Sequence, residues 1–142
     1  MRSGALLFCL LVGCVVTQTA TEKEQTLAGG KWRPFVTREQ FMRRYPGLPL
    51  KYIGKMRKVE QAVKEGELLE KDYQECDAKE RHRKRKLLDT AVRTYMRAMN
   101  EGEKVYEETG CDAVMIFLSR TVGAALKRLL VEYEKWRHIP TR

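Results

Sequence analysis

Residues 51–100, KYIGKMRKVE QAVKEGELLE KDYQECDAKE RHRKRKLLDT AVRTYMRAMN, decide the fold class. Met56, Val59, Ala62, Val63, Leu69, Tyr73 and Cys76 recur at steps of three and four, the period of one helix face. Leu88, Ala91, Val92, Tyr95, Met96 and Met99 repeat the pattern further on. The spacing predicts a helix from about Lys51 to Cys76 and a second from Ala78 to Asn100. Between them, Asp77-Ala78-Lys79-Glu80 reads as a fresh cap with its capping partner. Gly66 weakens the first helix by up to about 1 kcal/mol relative to alanine.

Towards the C-terminus, Glu101-Gly102 and Thr109-Gly110 are read as turns. Asp112 then caps a long helix that stops before Pro140. Leu118, Val122, Ala125, Leu129, Tyr133 and Trp136 form its expected buried stripe. Ala113 to Leu118 is apolar on every side and is expected to be covered. Arg120, Lys127 and Arg128 exclude this helix as a membrane span.

Towards the N-terminus, Thr37-Arg38-Glu39-Gln40 is a capping box that opens a short helix through Phe41, Met42 and Tyr45. Pro46-Gly47 and Pro49 end it. Before it, residues 21–36 read as a polar linker with Gly29-Gly30. The chain begins with a twelve-residue apolar run, Ala5 to Val16, behind the single charge of Arg2. A membrane span wants about 20 apolar residues, and the flanks Ser3, Gly4 and Thr17 to Ala20 bring the run close to that. A secretory signal peptide fits the same run, but Gln18 is a poor residue two before Ala20 at a cleavage site. Basic residues follow the run, and such flanks favour the untranslocated side. A retained anchor and a cleaved signal both stay open.

No strand pattern and no repeat of 20–50 residues occurs. The fold class read from these patterns is all-α: an N-terminal hydrophobic helix, a basic extended strap, then about three long amphipathic helices in an antiparallel arrangement. The segments are residues 1–20 as anchor or signal, 21–50 as strap with one short helix, and 51–142 as the helical domain.

Charge is blocked along the chain. Residues 31–58 carry nine basic side chains against Glu39, and residues 59–80 carry eight acids against three basic residues. Residues 81–97 carry seven basic residues against Asp89, and residues 101–112 carry five acids against Lys104. Antiparallel packing of consecutive helices would let such blocks neutralise one another. The block 31–58 is then the one expected to remain uncompensated. The net charge of +9 points to an acidic partner, anionic lipid or nucleic acid. With 8% aromatic and 33% charged residues, the core must be lean and the surface well solvated.

No nucleophile elbow, zinc-protease helix or glycine-rich phosphate loop occurs. Cys76 with His82 is too sparse for zinc. No catalytic, cofactor-binding or metal-binding residue is assigned, and the chain reads as a non-enzyme with no small-molecule substrate. The run Arg81-His82-Arg83-Lys84-Arg85-Lys86 suits phosphate contact, but a helix face set against the acidic block 59–80 explains it more simply. Trp32, Phe35, Phe41, Tyr45, Leu48 and Leu50 form an apolar set among basic residues. It either lies on a partner or membrane interface or straps back over the chain's own helices. The residues assigned to partner or lipid contact are Trp32, Arg33, Phe35, Arg43, Arg44, Tyr45, Arg57 and Lys58.

These features lead to a structural accessory subunit of a multi-subunit membrane complex. Its partners are other protein subunits, with anionic lipid as a further contact. The expected setting is the mitochondrial inner membrane, with the body in the matrix. The alternatives are a small secreted helical protein with a cleaved signal, and a basic organellar ribosomal or nucleic-acid-binding protein. Cys76 and Cys111 are expected not to pair, because a helix about 35 Å long separates them.

Overall fold

The computed structural model describes residues 32–137. The expected N-terminal hydrophobic helix and the start of the strap lie outside them. Among the described residues every regular element is a helix, and there are no strands. Helix α1 spans Arg38–Arg44, and a 3-10 turn at Leu50–Tyr52 leads into α2, Ile53–Glu75. Helix α3 spans Arg81–Thr109. Helix α4, Asp112–Leu118, runs through a π turn at Ser119–Gly123 into α5, Ala124–Arg137. The backbone stays right-handed helical at both junctions, so α4 and α5 form one rod.

Side-chain pairs define the topology. Tyr52 meets Glu108, Glu65 meets Arg97 and Tyr73 lies under Lys84, so α2 and α3 are antiparallel. Gly102 meets Leu118, Asp89 meets Tyr133 and Arg85 meets Trp136, so α3 and the α4–α5 rod are antiparallel too. Glu70 pairs with Arg128 and Tyr73 with Glu132, so α2 and α5 run parallel. The result is an up-down-up bundle of three long rods. Acidic 60–75 lies beside basic 81–97, as the charge pattern anticipates, whereas acidic 101–108 lies beside basic 51–58, part of the block expected to remain uncompensated.

The strap closes the groove between α2 and α4. Residues 32–36 are extended, and Thr37 starts α1 with both bonds of the capping box in place. Phe35, Phe41, Tyr45 and Leu48 share one core with Met56, Val63, Leu88, Tyr95, Leu118 and Leu129. Trp32 packs edge-on against Phe117 at 5.3 Å, and Tyr45 packs against the same ring at 5.9 Å. Of the two placements open for this apolar set, Trp32, Phe35, Phe41, Tyr45 and Leu48 take the one over the chain's own helices, while Leu50 stays exposed.

Several boundaries move. The third helix does not stop at Asn100. It continues through Glu101-Gly102 to Thr109, where Gly110 ends it in the left-handed conformation, φ 68°. Gly102 is buried, and a Cβ there would lie 2.6 Å from a methyl of Leu118. The glycine permits close helix approach rather than a turn. Gly66 plays the same part in α2, where a Cβ would meet the Tyr95 ring at 2.8 Å. The helix also starts later than Ala78. Asp77 uses its carboxylate on the Lys79 amide, 2.9 Å away, inside a turn that precedes Arg81. Cys111, not Asp112, is the residue before α4, and Asp112 sits in the first turn, where the helix dipole favours an acid. Met96, assigned to the stripe, points to solvent. Cys76 and Cys111 are free and lie at opposite ends of α3.

Gly66→Ala and Gly102→Ala are expected to lose about 1–3 kcal/mol each by overpacking. Gly54→Ala, with nothing near its added methyl, is expected to gain about 0.5–1 kcal/mol. Urea midpoints measure all three, and a neutral Gly66→Ala would contradict the packing.

A buried carboxylate and its aromatic partners as the candidate functional site

Glu60 carries the chemistry that holds the strap. It stands on α2 between Met56 and Val63, inside the apolar sector, and is completely buried. One carboxylate oxygen accepts the Phe35 amide at 2.8 Å and an Arg44 guanidinium nitrogen at 2.7 Å. The other accepts the Tyr45 hydroxyl. Three donors from the strap and α1 therefore meet one acceptor from the bundle. Arg44 is itself buried, 5.7 Å from the Trp32 ring centre, and its Nε has no partner.

Burial pushes the Glu60 carboxyl above its ordinary range, and Arg44, Tyr45 and the Phe35 amide pull it back only in part. Burial, then the Glu60 charge, pushes the Tyr45 phenol well above its usual value. The Tyr45 phenol thus keeps its proton and is the donor of this bond.

The same pairing recurs through the bundle. Trp32 donates to Glu67 at 2.6 Å, Tyr52 to Glu108 at 2.8 Å, Tyr73 to Glu132 at 2.9 Å and Tyr95 to Glu70 at 2.9 Å. Tyr133 donates to Asp89. A buried aromatic ring with a polar tip needs a partner for that tip, and here a carboxylate on another element supplies it each time. Arg128 adds two bonds to Glu70, at 2.8 and 3.0 Å. Lys84 donates to the carbonyls of Tyr73 and Cys76 and lies 4.3 Å over the Tyr73 ring. It thereby closes the C-terminus of α2 from the first turn of α3. Part of the basic run 81–86 is spent on this corner.

The eight residues assigned to partner or lipid contact divide evenly. Trp32, Phe35, Arg44 and Tyr45 are buried in the strap's own packing, whereas Arg33, Arg43, Arg57 and Lys58 are exposed. Arg57 lies 5.5 Å over the Phe35 ring. The structure therefore brings together the aromatic half as core and leaves four of the basic side chains outside. Sequence reasoning missed Glu60. Its signal was an acid at i+4 from Met56 and i−3 from Val63, in the middle of an apolar face. An exposed face of α3, from Arg93 to Glu107 through Met96 and Asn100, forms a shallow depression lined with charges of both signs.

Among the described residues no group of three or more His, Cys, Asp or Glu could hold a metal ion. No described helix is long and apolar enough to cross a membrane. No known family, curated protein or solved structure matches the chain.

Glu60→Gln leaves the Arg44 charge uncompensated in the core and is expected to cost about 3–5 kcal/mol in denaturant titrations. Alkaline pH tests the phenols. Tyr45, Tyr73, Tyr95 and Tyr133 all ionise above the ordinary value of 10.0, Tyr133 at about 12. Above pH 10 the unfolded chain releases these protons while the folded chain keeps them, so stability falls as pH rises. The expected result is tyrosinate absorbance that appears together with loss of the helical circular dichroism signal. Ionisation at the ordinary value with helices intact would contradict it.

Proposed function

We propose that the chain is a structural accessory subunit of a multi-subunit membrane complex, without catalysis of its own. The setting that best suits it is the mitochondrial inner membrane, with the helical body in the matrix. The single observation that carries this reading is the division of the strap. Its rings and Arg44 turn inward onto α2 and α4, while its Arg33 and Arg43, together with Arg57 and Lys58 of the adjoining α2, face outward. A segment fixed this firmly to its own bundle presents its basic side chains in a set arrangement, as a docking surface requires. The interior titratable groups are engaged with one another, which suits a scaffold.

Two other features support the reading. The apolar run Ala5 to Val16 precedes the basic surface in sequence. Basic side chains beside an anionic surface gain roughly 1 kcal/mol each.

Native gel electrophoresis of mildly solubilised membranes tests the proposal. The chain is expected to migrate within a large assembly and to keep its N-terminus by intact mass. Migration as a monomer, or a mature start near Thr21 in secreted material, would overturn it. Replacement of Arg33, Arg43, Arg57 and Lys58 by glutamate is expected to weaken assembly with the helices unchanged by circular dichroism. Arg44 stays out of that set, because its replacement attacks the core and not the surface.

A further inference from the structure

The outer face of α1 and its two flanks combine apolar and basic exposure at one end of the bundle, and Leu130 and Val131 stand beside Lys127 and Arg128 on α5 in a smaller set of the same kind. Val36 is 74% exposed, Met42 53% and Leu50 39%. These three fall within fifteen residues of one another, whereas the other exposed large apolar side chains are distributed over α2, α3 and α5. Among and beside them stand exposed Arg38, Arg43 and, directly after Leu50, Lys51. Glu39 is the one acid exposed between residues 32 and 58. Helical spacing puts Arg38 and Met42 side by side at i and i+4, with Glu39 and Arg43 on the adjoining strip. Phe41, Arg44 and Tyr45 occupy the opposite, buried side. Pro46 reaches Cys111, and Tyr52 reaches Glu108. The whole set therefore lies at one end of the bundle, where α2 begins and α3 ends.

The geometry points to peripheral docking of this end on an anionic lipid bilayer, with Val36, Met42 and Leu50 entering the interface and Arg38, Arg43 and Lys51 meeting headgroup phosphates. A bilayer interface takes apolar side chains and basic tips together. Single-stranded nucleic acid asks for exposed aromatic rings to stack on, and the strap's rings are buried. An acidic polypeptide satisfies the charges but leaves the three apolar side chains without a purpose. This inference rests on the reading of the chain as a membrane-associated subunit and names the surface that meets lipid.

Flotation of the purified full chain with vesicles tests it. Phosphatidylcholine vesicles measure the charge-independent background of the apolar run. Vesicles mixed with phosphatidylglycerol are expected to bind more protein, with a steep fall as salt rises. Arg38→Gln, Arg43→Gln and Lys51→Gln together are expected to lower partitioning onto the mixed vesicles about a hundredfold, at about fivefold per residue. Partitioning onto the neutral vesicles stays unchanged. Val36→Ser with Met42→Ser is expected to weaken vesicle binding and to leave binding of soluble polyglutamate as it was. All five side chains are exposed, so circular dichroism and the urea midpoint should match those of the parent. Equal partitioning of the triple variant, or capture by polyglutamate or RNA as tight as by the mixed vesicles, would overturn the inference. Preference for anionic vesicles in a chain that migrates alone refutes the complex and keeps this surface. The reverse result refutes the surface alone.

Discussion

A single buried carboxylate determines how the strap and the bundle fit. Glu60 is enclosed by protein on every side, and an isolated charge there would be very costly. It becomes tolerable only when the Phe35 amide, the Arg44 guanidinium and the Tyr45 hydroxyl arrive together. Those three donors belong to an extended segment and to the end of a seven-residue helix. Neither would hold a position unaided, since so short a helix is marginal in water. The acceptor fixes the register of both. Once they are seated, Trp32 and Tyr45 meet the Phe117 ring edge to face, and Phe35 packs edge to face on Phe41 and Tyr45. Buried ion pairs contribute little net stability but are sensitive to the loss of one partner. Glu60 therefore specifies an arrangement more than it strengthens one.

The rest of the interior follows a related rule. A chain with few aromatic residues and many charges builds its core by letting five rings carry a polar tip to an acid on another element. Trp32–Glu67, Tyr52–Glu108, Tyr73–Glu132, Tyr95–Glu70 and Tyr133–Asp89 all cross between elements. The rings supply apolar burial, and the hydrogen bonds give that burial direction. Gly66 and Gly102 supply the third component by letting Tyr95 and Leu118 approach a bare backbone. Dispersion is strongest at such contact distances.

Local patterns were legible in the sequence. The three- and four-residue stripes marked the long helices, and the Thr37–Gln40 box marked the start of α1 to the residue. The alternation of charge blocks anticipated the antiparallel register that Tyr52–Glu108 and Glu65–Arg97 display. What was not legible required knowing which surface lies opposite. Gly102 resembles a breaker until Leu118 is placed against it, although Ala98, Gly102 and Val105 continue the stripe at the correct spacing. Glu60 resembles any other acid of an acid-rich helix until its position in the apolar sector is weighed. The burial of the residues assigned to partner or lipid contact was half legible for the same reason. Composition identified Trp32, Phe35, Arg44 and Tyr45 as an unusual group, but whether a ring turns inward depends on the groove between α2 and α4, which no local pattern encodes.

The route of the strap also sets how the domain bears load. Residues 32–36 run back along α2, with Trp32 beside Glu67 and Phe35 beside Glu60. Tension applied ahead of Trp32 does not stretch the three rods lengthwise. It lifts the strap from its outer end, one attachment after another. The Trp32–Glu67 bond and the Lys64 bond to the Trp32 carbonyl take the force first. The amide of Phe35 follows, and the Arg44 and Tyr45 contacts come last. Such peeling requires little force at each step and a long extension overall. Tension from that side would therefore load the attachments in order rather than together, with the three rods outside the line of force.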